Sequence, residues 1–283
     1  MKKAIRIGDI FNADWLRDQL ESIILWKNSV YSGAYGAEAR VSLSETMDWA
    51  LTFGAKLRPL IADTSSRLEA EISKGVEVLF EAQLGALRDV YFGTYPFTSS
   101  SCALASFAPV GSGLFGHPIQ TVVGVVKAFS TCVGEGPFVT EMDESIAGPL
   151  REIALEYGAA TGRPRRIGHF DAVASRFGAY VQGATQLALT KLDSLSGRPT
   201  LKICDRYLID GREETSFPLN SALARAKPAY IEMDGWEEDV TGCRKFTDLP
   251  PAAQRYVRAI EELVGRPIRY VSVGPERSEL MEL

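Results

Sequence analysis

At 283 residues, 46% of them hydrophobic, the chain is long enough for one large core or two modest ones. Its net charge of −5, with no run of lysine or arginine, argues against a general nucleic-acid surface. No apolar segment follows the opening MKKAIRIGDIF, and the apolar run over 122–126 is too short for a bilayer, so a soluble cytoplasmic protein with no membrane partner is expected.

Asn12 can cap a helix that carries Trp15, Leu16, Leu20, Ile23 and Ile24 at helical spacing. Ser44 can start a second around Met47, Trp49, Ala50 and Leu51, and Asp63 or Thr64 a third that stops at Gly75. The texture then changes. Residues 76–80, VEVLF, have the composition of a buried parallel strand. Residues 93–118 are rich in glycine, serine and proline and show no period. A loop that long is usually functional or disordered.

Beyond it strands and helices alternate. A strand is expected over 121–129 and a helix over 149–157, with Pro149 in its first turn. A helix over 170–181 and strands over 187–190 and 201–209 follow, the last closed by a hairpin turn at Asp210-Gly211. A helix over 251–264, stopped by Gly265, leads to a final strand over 268–273. The pattern predicts an α/β fold: a mainly parallel sheet flanked by helices over residues 76–283, with an N-terminal helical lobe over 1–75.

Cys102, Cys132, Cys204 and Cys243 have no CxxC spacing and only His117 and His169 to join them, so a zinc site is not expected. Scattered cysteines in a long acidic chain fit a reducing compartment. Four other segments can carry chemistry. GAATGRPRR, residues 158–166, sets Arg163 and Arg165 either side of Pro164. Planar guanidinium donors bind carboxylate or phosphate in pairs, although a solvated basic loop has the same composition. TKLD, residues 190–193, ends a β run, and open α/β sheets bind ligands at that edge. There Asp193 can accept from adjacent N–H donors of guanine while the Lys191 stem lies along the base; an exposed Lys/Asp pair is the plainer alternative. SVGP at 272–275 is a turn whose glycine permits close backbone approach. FGTYPFTSSS at 92–101 can cradle an anion. It is not a phosphate loop, because GxxxxGK[ST] occurs nowhere. GSGLFG at 111–116 spells GxGxxG without the strand and helix that motif needs.

FGTYPF, VGEGPF, GAATGRPRR, TKLD and the terminal VGP occur in one order, joined by GVVKAFST and IEELVGRPI. Together they resemble the adenylosuccinate synthetase family over nearly the whole chain. The resemblance implies a truncated, P-loop NTPase-like synthetase body. It implies a homodimer that joins L-aspartate to IMP: GTP phosphorylates the purine 6-oxygen and the aspartate amine displaces that phosphate, with Mg²⁺ on the phosphates. Carried over by residue, Ala159, Ala160, Thr161, Gly162, Arg163 and Arg165 would bind aspartate. Leu84, Ser99, Val133, Arg163 and, from the neighbouring subunit, Lys2 would bind IMP. Arg165, Lys191, Leu192, Asp193, Ser272, Val273 and Gly274 would bind the guanine nucleotide.

The departures cluster on the IMP side. EAQLG replaces EGAQG and puts Leu84 where the family has glutamine. Ser99 replaces threonine, Cys132 an arginine, and Lys2 another arginine, keeping charge but not fork geometry. Ala160 replaces a threonine of the aspartate loop. No family phosphate loop, catalytic Asp/His pair or Mg²⁺ site is found, so no catalytic or metal residue is assigned. His169 stands at a usual tryptophan and reads as a packed or surface histidine. The chain alone is expected not to turn over, to bind guanine nucleotide weakly and to expose apolar sheet surface. A non-catalytic relative that binds a ligand or partner is the alternative.

Overall fold

A computed structural model describes every residue except Met1, Lys2, Ala39 and Ala160, and only the backbone of Asn220. The chain forms two compact units, Met1–Ala70 and Glu71–Leu283.

In the first unit, α1 (Ala13–Tyr35) begins where the Asn12 side chain accepts from the Trp15 amide at 3.1 Å. Its apolar stripe, Leu16, Leu20 and Ile24, packs with Met47 and Ala50 of α2 (Leu43–Leu57). Ser42, not Ser44, caps α2: its hydroxyl accepts from Glu45 N at 3.4 Å and its carbonyl from Thr46 N at 3.1 Å. Ser44 is already in the first turn, where its hydroxyl meets that of Ser42. Asn28 ties α1 to the chain entering α2 by two bonds with the Val41 backbone, at 3.0 and 2.8 Å. The Asp63 carboxylate accepts from both the amide and the hydroxyl of Ser66 and opens α3 (Thr64–Ile72).

The second unit holds α4 (Ala108–Ser112), β1 (Val123–Lys127), β2 (Ser130–Cys132), α5 (Glu144–Ile153), β3 (Arg166–Gly168), β4 (Phe170–Asp171), α6 (Ala172–Gln182) and β5 (Gln186–Thr190). It continues with β6 (Arg198–Ile209), β7 (Arg212–Glu214), α7 (Asn220–Leu223), β8 (Lys227–Trp236), α8 (Pro251–Val264), β9 (Ile268–Ser272) and β10 (Leu280–Glu282). One sheet runs β1-β5-β9-β10: β1, β5 and β9 are parallel and β10 is antiparallel. A second is built on β6, parallel to β4 and antiparallel to β7 and β8, and β2 pairs with β3 alone. Leu187 and Leu189 of β5, Val271 of β9, Ile203 of β6 and Tyr256, Val257 and Ile260 of α8 share one buried core.

Turn chemistry places several of these elements. Asp210 and Gly211, with φ of 51° and 81°, close the β6–β7 hairpin between Ile209 and Arg212. Gly265 takes φ 71° and ends α8. Gly235 of β8 lies against the Arg198 carbonyl, which a Cβ there would overlap.

Three expectations are corrected. Residues 76–80 form no strand and join no ladder among the described residues, and Leu79 is 94% exposed. Apolar composition does not supply the partner edge that a strand's N–H and C=O groups require. The helix expected over 149–157 is α5, with Pro149 inside it. The Asp143 carbonyl accepts from Ile146 and Ala147 and starts the helix earlier. Pro149 is thus interior, where it removes one backbone bond and crowds the carbonyl four residues back, that of Ser145. Within 93–118, the short helix α4 interrupts the loop.

Candidate ligand-binding edge of the parallel sheet

The three parallel strands end side by side. Lys127 of β1 is in register with Thr190 of β5, and Leu189 with Val271 of β9. The loops beyond therefore meet: Ala128 N donates to Thr190 O at 2.8 Å and Leu192 N to Ser272 O at 3.3 Å. Leu192 and Val273 are fully buried and anchor the two loops.

Lys191 takes the left-handed conformation, φ 64°, and its amine donates to Ala154 O at 2.8 Å. The neighbouring Asp193 Oδ1 is buried and has no hydrogen-bond partner among the described residues. Burial pushes the Asp193 carboxyl up, against the pull of its own amide and of Lys191. A buried acceptor without a donor is costly and calls for a ligand donor. Opposite, the Ser272 hydroxyl donates to Gly274 O at 2.7 Å. A Cβ at Gly274 would overlap the Glu279 carboxylate, which accepts from Glu276 N at 2.7 Å and shapes the turn.

The arginine segment is a hairpin. Tyr157 bridges Pro164, Gly158 N donates to Arg163 O at 2.8 Å, and Arg165 N donates to Glu156 O at 2.9 Å. Gly158 has no room for a Cβ beside Thr161 Oγ1, whose hydroxyl also accepts from Arg163 N. Ala159, Thr161, Gly162 and Arg163 are exposed at the tip. Arg165 turns inward: its Nη1 donates to Glu156 Oε2 at 2.6 Å, and its buried Nε has no partner among the described residues. Lys127 Nζ lies 2.7 Å from both Glu156 oxygens and donates to Thr131 Oγ1 at 2.9 Å. Glu156 is 1% exposed. Burial opposes its charge, but the hydrogen bonds from Lys127 and Arg165 outweigh it and hold the carboxyl below the usual range. Burial, then repulsion by Arg165 and Lys191, depresses Lys127 in spite of Glu156.

Arg166, the third arginine of the segment, is spent on structure. It forks onto Glu141 at 2.6 and 2.5 Å, donates to Gly136 O at 2.8 Å and lies over the Phe138 ring. Arg151 forks onto Glu144 and holds Arg165 O at 2.8 Å.

The residues expected at IMP are arranged differently. Leu84 has φ 78° and an exposed side chain. The Ser99 hydroxyl folds back on Ser101 O at 3.0 Å. Val133 is exposed, but its carbonyl accepts from Arg88 Nη2. The same guanidinium donates to Cys132 Sγ at 2.8 Å and to the carbonyls of Glu135 and Phe97. Arg88 thus pins the 92–101 loop to the 133–136 turn, a role no spacing in the sequence signals. Asp89 beside it is buried and accepts from the amides of Tyr91, Phe92 and Ala103. Those bonds outweigh burial and hold its carboxyl low. Lys2 and Ala160 lie outside the described residues. His169 packs edge-on against Tyr230 at 5.1 Å. Among the described residues no three His, Cys, Asp or Glu side chains converge on a metal position, and no helix is long and apolar enough to cross a membrane.

Parallel strand ends that gather an arginine hairpin, a Lys/Asp loop and a glycine turn define an α/β protein with a candidate ligand site at its sheet edge. A family profile described as adenylosuccinate synthetase matches residues 1–281. Adenylosuccinate synthetase 2 of Pseudoalteromonas translucida is 44% identical over 282 residues, covering 99% of this chain and 66% of that protein. The Brevibacillus brevis adenylosuccinate synthetase is 42% identical over 276 residues, 97% of this chain and 64% of that protein. The fully ligated structure of the Plasmodium falciparum adenylosuccinate synthetase superposes with a TM-score of 0.91 at 30% identity, covering all of this chain and 66% of that one. The chain belongs to the adenylosuccinate synthetase family and spans 64–66% of the length of these relatives.

Proposed function

We propose that this chain carries the L-aspartate- and guanine-recognising part of a GTP-dependent, Mg²⁺-requiring ligase that joins L-aspartate to IMP in AMP biosynthesis, working as a cytoplasmic homodimer. The observation that carries the reading is the unpartnered Asp193 Oδ1 beside Lys191, at the edge where β1, β5 and β9 end. A carboxylate with spare acceptor capacity matches the adjacent N–H donors of guanine, and Ser272, Val273 and Gly274 form the opposite wall. The tip of the hairpin, with Ala159, Thr161, Gly162 and Arg163, presents donors for the aspartate carboxylates. No metal chemistry is assigned to the described residues. Taken alone, the chain offers recognition without the groups that transfer phosphate, and forms no adenylosuccinate from GTP, IMP and L-aspartate.

Calorimetry with GDP tests the recognition. Binding weaker than about 1 µM is expected, lost by at least about tenfold in Asp193→Asn, since an amide presents a donor where the base has one. Submicromolar affinity, or an Asp193→Asn variant that binds as the parent does, contradicts the reading. Product above a no-enzyme blank contradicts the inactivity. A second reading, a non-catalytic relative that binds a ligand or partner, draws on Arg88: its donors already occupy the Val133 carbonyl and Cys132 on the IMP side.

A further inference from the structure

Glu156 belongs to none of the ligand sets above, yet it is the most enclosed charged side chain of the sheet edge, 1% exposed. Local backbone puts it there. α5 ends at Ile153, and Leu155 takes φ 52°, which turns the chain back so that Glu156 faces inward at the root of the hairpin. Its two oxygens bring together elements far apart in sequence: Lys127, the last residue of β1, and Arg165, on the returning arm of the hairpin. The backbone adds a second tie, Arg165 N to Glu156 O at 2.9 Å.

A buried carboxylate is costly unless it is fully paired, and removing a partner costs more than the pair contributes. Here pairing is complete on the acid and incomplete on the bases. Lys127 and Arg165 share the Glu156 carboxylate. Lys191 beside them, which faces Asp193, adds to the repulsion on Lys127, so three bases meet two carboxylates and positive charge is left over. Arg165 uses Nη1 on Glu156, and its Nη2 has no hydrogen bond among the described residues. A guanidinium held at one corner is pre-oriented, and an anion that binds it does not have to order it.

We propose that Glu156 is a positioning residue: anchored by Lys127, its buried carboxylate fixes the Arg165 guanidinium for an anionic group of the ligand, a carboxylate or a phosphate. This rests on the reading that Arg165 faces L-aspartate or the guanine nucleotide. Glu156 itself touches no ligand. Its effect passes through Arg165, so its removal and that of Arg165 are not additive.

The test uses the full 283-residue chain. Arginine side-chain ¹⁵N spectra without ligand, assigned with Arg165→Lys, report the clamp directly. In the parent, hindered rotation keeps the two Arg165 Nη signals distinct, and Glu156→Gln merges them. Calorimetry with L-aspartate and with GDP reports the consequence. Glu156→Gln weakens whichever ligand Arg165 meets by about tenfold, and Glu156→Gln/Arg165→Ala is no weaker than Arg165→Ala alone. A purely structural Glu156 would lower the melting temperature and leave both affinities alone. Merged Nη signals in the parent, parent-like affinity in Glu156→Gln, or additive losses in the double variant overturn the proposal. Should Glu156→Gln not fold, Lys127→Met replaces it, since it frees the carboxylate from its second anchor. Merged signals with about threefold weaker binding are then expected, and unchanged signals and affinity overturn the proposal. If the parent binds neither ligand, the functional reading fails, while the ligand-free spectra still judge the clamp.

Discussion

His169 and Asp171 flank Phe170 and are displaced from their ordinary titration in opposite directions. Burial, helped by Lys202 and Arg198, lowers His169 from 6.5 to about 4. Burial raises Asp171 from 3.8 to about 6, although it accepts from the Tyr207 hydroxyl at 2.7 Å and from Ala174 N at 2.9 Å. The signs follow from which state binds the proton. The unfolded chain protonates His169 first, so its contribution is full above pH 6.5 and is lost as pH falls toward 4. The folded chain protonates Asp171 first, so its contribution is full below 3.8 and is lost as pH rises through 6. Between pH 4 and 6 the two slopes oppose each other. His169→Phe should leave the Asp171 slope alone, with stability falling by about 2 kcal/mol from pH 4 to 6. Asp171→Asn should leave stability rising over the same window. Urea midpoints at pH 4, 5 and 6 decide it, and parallel profiles for parent and variants would refute the opposition.

At the scale of elements, the longest ladder, β6 with β8, depends on one missing side chain. A Cβ at Gly235 would overlap the Arg198 carbonyl, at the end where Arg198 pairs with Trp236. Backbone cannot yield as a side-chain tip can. Gly235→Ala is expected to cost about 2–3 kcal/mol in chemical unfolding, whereas the exposed Gly242→Ala, with open space around its Cα, should be near neutral. Elements announced by local chemistry were legible in the sequence: the Asn12 cap, the Asp210-Gly211 turn, α8 with Gly265, and the apolar runs of β5 and β9. Those that depend on a distant partner were not. β8, KPAYIEMDGW, alternates poorly and exists because β6 pairs with it. Residues 76–80 read as a strand but lack a partner among the described residues. The site divides the same way. Lys191, Asp193 and the arginine segment stand out as motifs, while Arg88 and Glu156 are single charges whose roles come from what surrounds them.

On the scale of the whole molecule, β1 is an edge strand of the parallel sheet, and Val125 on it is 71% exposed. An edge that offers both free backbone groups and apolar side chains invites association. The chain should self-associate with concentration in sedimentation velocity. Val125→Lys should reduce that without lowering the melting temperature, and unchanged sedimentation would show that the β1 edge is not responsible.

The left-handed backbone of Lys191 ties recognition to evolvability. A lysine in that conformation carries strain of about 1 kcal/mol that glycine or asparagine would not. Selection for thermal robustness alone would push this position toward those residues and remove the amine beside Asp193. Libraries selected for heat tolerance alone should therefore lose Lys191 before any other residue of the edge, and sequencing the survivors checks it.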